Sequence, residues 1–309
     1  MKLAVLDLGS NSFHLLVARV DDDQIVPIDK HKKMVRLGAG TLRRGRLDAD
    51  AMRRGLDAVV ELAGRAREQG ARVVVAVATS ALREAQNARQ FVDRARELAG
   101  VDIEILSGGE EGRLIYRGAS AGTTGRRAVV DIGGGSVEIV AGQGAKAEIV
   151  HSLPLGVLRL REAFVPPDGY VSERTVETLA VAVRAGAQEA TTEVRSYAPA
   201  TLVFTSGTAR TIARLAHELA GPVASGDDLR AEGIGRLVAI LTKLKPSGLV
   251  SLGVEEGRTD TIAVGAVVMN TVVELLGFPT VVVSDRALRE GVAFRELERT
   301  RTASAAARP

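Results

Sequence analysis

The chain has no cysteine and no tryptophan, and only nine of its 309 residues are aromatic. Without thiols there is no disulfide framework, no zinc–cysteine or iron–sulfur site and no cysteine nucleophile. So few aromatics argue against base stacking, the usual grip on single-stranded nucleic acid. Long apolar runs are missing too. None approaches the roughly 18 residues of a membrane span, and MKLAVLDLG turns polar too early for a secretory leader. The expectation is a cytoplasmic protein with neither membrane nor nucleic-acid partner. Charge of one sign is also scarce: 41 basic against 38 acidic residues leave +3. The pI of about 9.4 is high only because few groups titrate between neutrality and pH 10, so the total implies no polyanion by itself.

What is present is 46% hydrophobic sequence, so Ala, Val, Leu and Ile must fill the core. The length suits two domains. Lys2–Leu8 reads as a buried strand, Gly9–Ser12 as a turn, and Phe13–Val20 as a second strand. Asp21–Asp23 reads as a turn to a third strand near Ile25–Asp29. A helix from the N-cap Asp48 to Gln69 shows apolar positions at Met52, Leu56, Val59 and Ala63, and Gly70 ends it. Strand Arg72–Ala78, helix Asn87–Leu98, strand Val101–Leu106 and a helix from Glu110 follow, the alternation of an α/β domain. After a Gly- and Thr-rich joint, Ala128-Val-Val-Asp131-Ile-Gly133 repeats the opening Ala4-Val-Leu-Asp7-Leu-Gly9 at 124 positions' distance. This predicts two similar domains facing across a cleft. Further on, helices are expected over Ser172–Arg195, 228–243, 258–276 and Arg286–Glu298, with strands to Thr205 and over Thr280–Val283.

Three small-residue turns follow apolar strands: Gly9–Ser12, Gly133–Ser136 and Ser206–Thr208. Glycines let the backbone approach an anion, and N–H groups and hydroxyls supply donors. Ser10, Asn11, Ser12, Gly133, Gly134, Gly135, Ser136, Ser206, Gly207 and Thr208 are therefore candidate phosphate ligands. None of the turns is a Walker A or dinucleotide loop. Asp7 and Asp131 end equivalent strands, where a carboxylate beside phosphate needs an intervening cation, which points to Mg²⁺. Glu138 stands in an otherwise apolar strand and needs a partner. Glu110 and Glu111 open a helix and point about 100° apart, so at most one serves the site. Arg83 is placed to reach phosphate in bidentate fashion. Between positions 30 and 46 lie Lys30, Lys32, Lys33, Arg36, Arg43, Arg44 and Arg46 without one acid, a run that suits a polyanion path.

Asp7-Leu-Gly-Ser-Asn-Ser12, Ala78-Thr-Ser-Ala-Leu-Arg-Glu84, Ser107-Gly-Gly-Glu-Glu-Gly-Arg-Leu-Ile-Tyr116 and Asp131-Ile-Gly-Gly-Gly-Ser-Val-Glu138 resemble the exopolyphosphatase/guanosine pentaphosphate phosphohydrolase family. Ser152-Leu-Pro-Leu-Gly156 with Arg159, Ser206-Gly-Thr208, Arg258-x-Asp260-x-Ile262 and Leu288-Arg-Glu-Gly291 extend the resemblance to about residue 295.

The resemblance implies a duplicated actin-like, ribonuclease H-like α/β fold with a central cleft. Domain I would be 1–121 with a returning helix at about 287–300, domain II 122–286, and 301–309 a disordered tail. It implies release, dependent on Mg²⁺ (or Mn²⁺), of terminal orthophosphate from linear inorganic polyphosphate or of the 5′ γ-phosphate from guanosine pentaphosphate, with polyphosphate or a guanosine penta- or tetraphosphate as partner. Glu111 would be the base, Asp131 and Glu138 would position metal and water, Gly133–Ser136 would be the phosphate loop and Arg83 a phosphate ligand. Asp7 joins them as a metal ligand. The chain ends before the helical domain of longer members, which leads to the expectation of short polyphosphates and leaves a homodimer open. Gly112 replaces the Ala of many members. A small-molecule kinase of the same architecture and a non-catalytic polyphosphate- or alarmone-binding module are the competing readings.

Overall fold

The computed structural model of the chain describes residues 2–21, 24–220 and 228–306. Two units are formed, one running to Gly118 and resumed from Arg286, the other Ala119–Asp285. The first is built on β1 (Lys2–Leu8), β2 (Ser12–Asp21), β3 (Gln24–Met34), β4 (Val73–Ala78) and β5 (Ile103–Ile105), in the order β3-β2-β1-β4-β5. β1, β2 and β3 form an antiparallel meander, and β4 and β5 continue parallel to β1. The second unit has β6 (Arg126–Ile132), β7 (Val137–Gln143), β8 (Lys146–Leu153), β9 (Thr201–Thr205), β10 (Asp228–Arg230) and β11 (Thr280–Val283). Its order is β10-β11-β9-β6-β7-β8.

Apart from the short edge strand β10, this is the same meander with the same parallel continuation. Asp7 and Asp131 occupy the same place in each repeat: Asp7 pairs with His14 and Val77, and Asp131 with Glu138 and Thr205. The fold is one α/β arrangement built twice, each time on a mixed sheet.

Each sheet buries its apolar residues under helices. In the first unit, Phe13, Leu15 and Val17 pack with Leu56, Val59 and Leu62 of the helix Ala49–Glu68 and with Phe91. That helix starts where Asp48 Oδ1 accepts from the Ala51 N–H at 2.8 Å, one of its open N-terminal donors. In the second unit, Ile132, Ile139 and Phe204 pack with Leu179 and Val183 of the helix Glu173–Ser196 and with the helix Ile262–Leu276, which is apolar on nearly every side. An all-round apolar helix is one enclosed by neighbours.

Several elements differ from the sequence expectation. β3 continues past the expected Asp29 to Met34, because Lys30–Lys33 pair with β2. β8 (Lys146–Leu153) and the helix Val157–Phe164 are elements that the sequence reading did not place. The stretch 228–243 opens as β10 before its helix Ala231–Leu241, and the helix expected from 258 starts only at Ile262, after a 3-10 turn at Glu256–Arg258. Ser206–Thr208 is the first turn of the helix Ser206–Leu219. The last helix spans Leu288–Ala306, so residues 301–306 are helical where disorder was expected, and 307–309 lie outside the described residues. The expected turn at 21–23 also falls partly outside them.

Phe204 is fully buried in the second unit's core, where truncation leaves a cavity that close-packed neighbours cannot fill. Phe204→Ala is expected to cost about 3–5 kcal/mol, read from the urea midpoint; a loss below about 1 kcal/mol would contradict this packing.

Candidate active site

In the second unit, β6 delivers Asp131 and the chain then turns at Gly133–Gly135. The Gly133 and Gly134 carbonyls accept from the Val157 and Leu158 N–H groups at 3.0 and 2.8 Å, and the Gly135 carbonyl accepts from Arg159 Nε at 3.2 Å. A trans peptide points its N–H opposite to its C=O. The N–H groups of Gly134, Gly135 and Ser136 are therefore turned away from that helix, as three adjacent anion donors. Gly156 makes this possible: a Cβ there would lie 2.3–2.5 Å from backbone atoms of Gly134, Gly135 and Ser136.

A polar row crosses the same sheet. The register sets Ser152, Glu138, Asp131 and Thr205 side by side on β8, β7, β6 and β9. Ser152 Oγ donates to Glu138 Oε1 at 2.8 Å, and Thr205 Oγ1 donates to Asp131 Oδ2. Glu138 is only 1% exposed, so the Ser152 hydroxyl replaces part of its lost hydration. At the end of β9, Ser206 has φ +92°, a conformation costly for a residue with a Cβ and concentrated at functional sites. It opens the helix Ser206–Leu219, whose N-terminus carries Gly207 and Thr208. Arg258 presses on Gly207 so closely that a Cβ there would lie 2.3 Å from its guanidinium. Burial lowers the Arg258 pKa from the ordinary arginine value, against the opposing effect of Glu255, which accepts from Nε at 3.1 Å.

In the first unit the turn after β1 is held from behind in a similar way. The Ser10 carbonyl accepts from Gly38 N–H at 2.7 Å, and the Asn11 carbonyl from Val35 and Arg36 N–H at 3.2 and 2.8 Å. Ser10 Oγ and Asn11 Oδ1 are buried without a hydrogen-bond partner among the described residues. The first can donate to a phosphate oxygen; the second can accept from a hydroxyl or face a cation. Ser12 Oγ is engaged by His14 Nε2 at 2.8 Å.

The two adjacent glutamates separate their tasks. Ser107 N–H and Oγ donate to Glu110 Oε2 at 2.9 and 2.6 Å, and Glu110 N–H donates back to Ser107 Oγ at 3.2 Å. This reciprocal cap occupies Glu110, and the Ser107 hydroxyl and amide hold its carboxyl below the usual glutamate value. Glu111, 6% exposed, is left for the site. Arg83 NH1 donates to Glu111 Oε2 at 2.8 Å and to the Leu106 carbonyl at 2.9 Å. Arg83, expected on phosphate, is thus placed on the carboxylate.

Among the described residues, no group of three or more His, Asp or Glu side chains could enclose a metal. Single hard carboxylates beside glycine turns, Asp7 and Asp131, nevertheless fit Mg²⁺, which is commonly held by one or two carboxylates with phosphate and water oxygens. The four residues of the expected polyanion path are not brought to one face. Lys33 pairs with Glu61 on the helix Ala49–Glu68, whereas Lys30 reaches Glu290 on the last helix at 3.5 Å. Lys32 stands opposite His14 in the row that contains Asp7. Arg36 lies beyond the strand at φ +51°. Sequence reasoning missed Thr205, Ser152, Gly156 and Arg258 as site residues; a hydroxyl ending β9 and the glycine of Ser152–Gly156 were the available signals.

A model of the Ppx/GppA phosphatase family matches residues 16–300. Exopolyphosphatase 1 of Mycobacterium tuberculosis (strain ATCC 25618 / H37Rv) is 33% identical over 307 residues, covering 96% of this chain and 89% of that one. Guanosine-5'-triphosphate,3'-diphosphate pyrophosphatase of Vibrio vulnificus (strain YJ016) is 30% identical over 310 residues, 96% of this chain, which spans only 60% of that relative's length. The crystal structure of an exopolyphosphatase from Cytophaga hutchinsonii has a TM-score of 0.87 at 26% identity, covering 96% of this chain and 98% of that one.

Two outcomes follow from the geometry. Gly156→Ala is expected to lower the urea midpoint by the equivalent of about 1–3 kcal/mol and to weaken tripolyphosphate binding by calorimetry; unchanged binding would contradict the loop's dependence on Gly156. Because the folded pKa of Glu110 lies below its ordinary 4.5, its stabilisation is complete above that value and is lost as pH falls through the depressed one. The stability gap between wild type and Glu110→Ala should be widest at pH 7 and narrow in acid. A gap independent of pH would exclude the charged cap.

Proposed function

The chain belongs to the Ppx/GppA phosphatase family, and from that premise we propose that it is an exopolyphosphatase releasing terminal orthophosphate from inorganic polyphosphate. The observation that carries the reading is the buried Glu111 held by Arg83 while Glu110 is diverted to the helix cap. Arg83 fixes the direction of the Glu111 carboxylate. Glu111 orients a water and accepts its proton as the water oxygen attacks the terminal phosphorus. The bond from that phosphorus to the bridging oxygen breaks, and its electron pair leaves on the shortened chain. Within the second unit, the Gly134, Gly135 and Ser136 N–H groups and the helix N-terminus at Ser206–Thr208 supply donors for phosphoryl oxygens.

Asp131 and Glu138 of the second unit are the residues that would hold Mg²⁺, which when bound would supply neutralisation of phosphate charge; Asp7 has the equivalent place in the first unit. Ser152 and Thr205 orient two of these carboxylates by hydrogen bonds. Polyphosphate is preferred over guanosine pentaphosphate because the described residues named above offer N–H, hydroxyl, guanidinium and carboxylate groups, and none of these residues carries an aromatic ring to stack a base.

Orthophosphate release without ATP from short polyphosphates, long polyphosphate and guanosine pentaphosphate tests the substrate, with short polyphosphates expected fastest. Glu111→Gln is expected to lower turnover by about 10²–10⁴-fold with polyphosphate still bound. Near-normal turnover in that variant would overturn the mechanism, and faster release from guanosine pentaphosphate would overturn the substrate.

A further inference from the structure

The helix carrying Glu111, Gly108–Ser120, crosses the last helix, Leu288–Ala306, with no room for a side chain at the crossing. A Cβ at Gly118 would lie 1.9 Å from the Ala287 carbonyl oxygen and 2.8 Å from the Gly291 nitrogen. A Cβ at Gly291 would lie 1.8 Å from the Leu114 carbonyl oxygen. All are backbone atoms, which cannot swing aside as the end of a flexible side chain can. The contact is reciprocal, since each helix places a carbonyl one turn before its own glycine against the glycine of the other. Such approaches favour Cα–H···O contacts.

The surrounding side chains fix the last helix to both neighbours. Arg117, on the Glu111 helix, pairs with Glu298, donates to the Phe294 carbonyl at 3.4 Å and lies 5.9 Å from the Phe294 ring centroid. Arg295 binds Glu104 of β5 through two hydrogen bonds of 3.0 and 2.6 Å. Glu290, 3% exposed, accepts from Ala287 N–H at 3.0 Å and faces Lys30 of β3 at 3.5 Å. Arg83 reaches Glu111 independently, from the short helix Ser80–Glu84 after β4. The position of Glu111 relative to Arg83 therefore depends on the sheet, the last helix and the glycine crossing in series.

We propose that Gly118 and Gly291 are positioning residues for the reaction, setting where Glu111 stands on Arg83 and hence where its carboxylate meets water. The inference rests on the reading of Glu111 given above. Leu114, the residue struck by a side chain at 291, is less than one turn from Glu111, and a helix transmits such a displacement as a nearly rigid rod. A misplacement of about 1 Å can cost about 100-fold in rate. Binding would be spared, because the phosphate donors named above do not lie on this helix.

The test compares Gly291→Ala with Val292→Ala, a buried neighbour on the same helix whose truncation removes volume and adds no atom at the crossing. Steady-state orthophosphate release from tripolyphosphate is measured per folded molecule, with urea midpoints for both variants. Gly291→Ala is expected to lower kcat about 10- to 100-fold with KM little changed, while Val292→Ala keeps the wild-type kcat. A wild-type kcat in Gly291→Ala, or an equal loss in Val292→Ala at equal destabilisation, overturns the proposal. Should Gly291→Ala fail to fold, Arg117→Leu removes the Glu298 pair and the Phe294 contacts that hold the two helices against each other at the glycine crossing. The same kcat loss at constant KM is then expected, and a wild-type kcat overturns the proposal. Glu111→Gln separates the two readings: retained turnover there defeats the role of Glu111, whereas an inactive Glu111→Gln beside a wild-type Gly291→Ala defeats only the positioning role.

Discussion

The tethering of loop carbonyls from behind is the constraint on which the rest of the site depends. A peptide plane has two polar ends, and a turn that aims its N–H groups at an anion must dispose of its carbonyls elsewhere. In the second unit the N-terminus of the helix Val157–Phe164, a set of donors in need of acceptors, takes the Gly133 and Gly134 carbonyls. In the first unit the backbone amides of Val35, Arg36 and Gly38 take those of Ser10 and Asn11. The two repeats thus share a solution built with different partners. Duplication is visible in the physics of the turn and in the strand order more clearly than in residue identity.

Buried carboxylates impose the next constraint. An ionised Glu out of water is stable only with a specific partner, and each such group has one: Arg83 for Glu111, Ser152 for Glu138, Lys30 for Glu290. These partners fix orientation as much as charge. Arg83 also donates to the Leu106 carbonyl, so its guanidinium is held at two points and cannot follow Glu111 if that helix moves. Two adjacent glutamates at a helix start look interchangeable in sequence, but Ser107 breaks the tie by capping with Glu110.

Legibility followed the range of the interaction. Apolar runs, the Asp–Gly turns and their repeat are local features, so the strands and both Asp positions could be read directly. Glu111 could be narrowed to one of two residues by helical geometry and chosen only through the resemblance. Gly156 and Gly291 stand inside the quoted motifs, but what they and Gly118 do could not be read, because each is required by a backbone segment distant in sequence. The link from Thr205 to Asp131 needs the parallel register of β6 and β9. The basic run misled for a related reason: once Lys30–Lys33 become a strand, the period of two divides them between opposite faces, where Glu61 and Glu290 meet Lys33 and Lys30.

Under the proposed function, that division bears on how a near-neutral chain can suit a highly charged substrate. Arg83, Arg258, Lys30 and Lys33 each face a carboxylate, which cancels much of their charge. Under the proposed function, the attraction for phosphate then rests on fixed dipoles, the loop N–H groups and a helix N-terminus worth about half an elementary charge, with a metal ion for the remainder. Dipoles of fixed direction favour the charge distribution of the transferring phosphoryl group and need no reorganisation at the moment of transfer. A cluster of bare cations would hold substrate and product about equally well, which lowers KM without raising kcat. Under that proposal, a site that must release a shortened polyanion after every cleavage is better served by geometry than by net charge, and geometry is what the glycines of the second unit's turn supply.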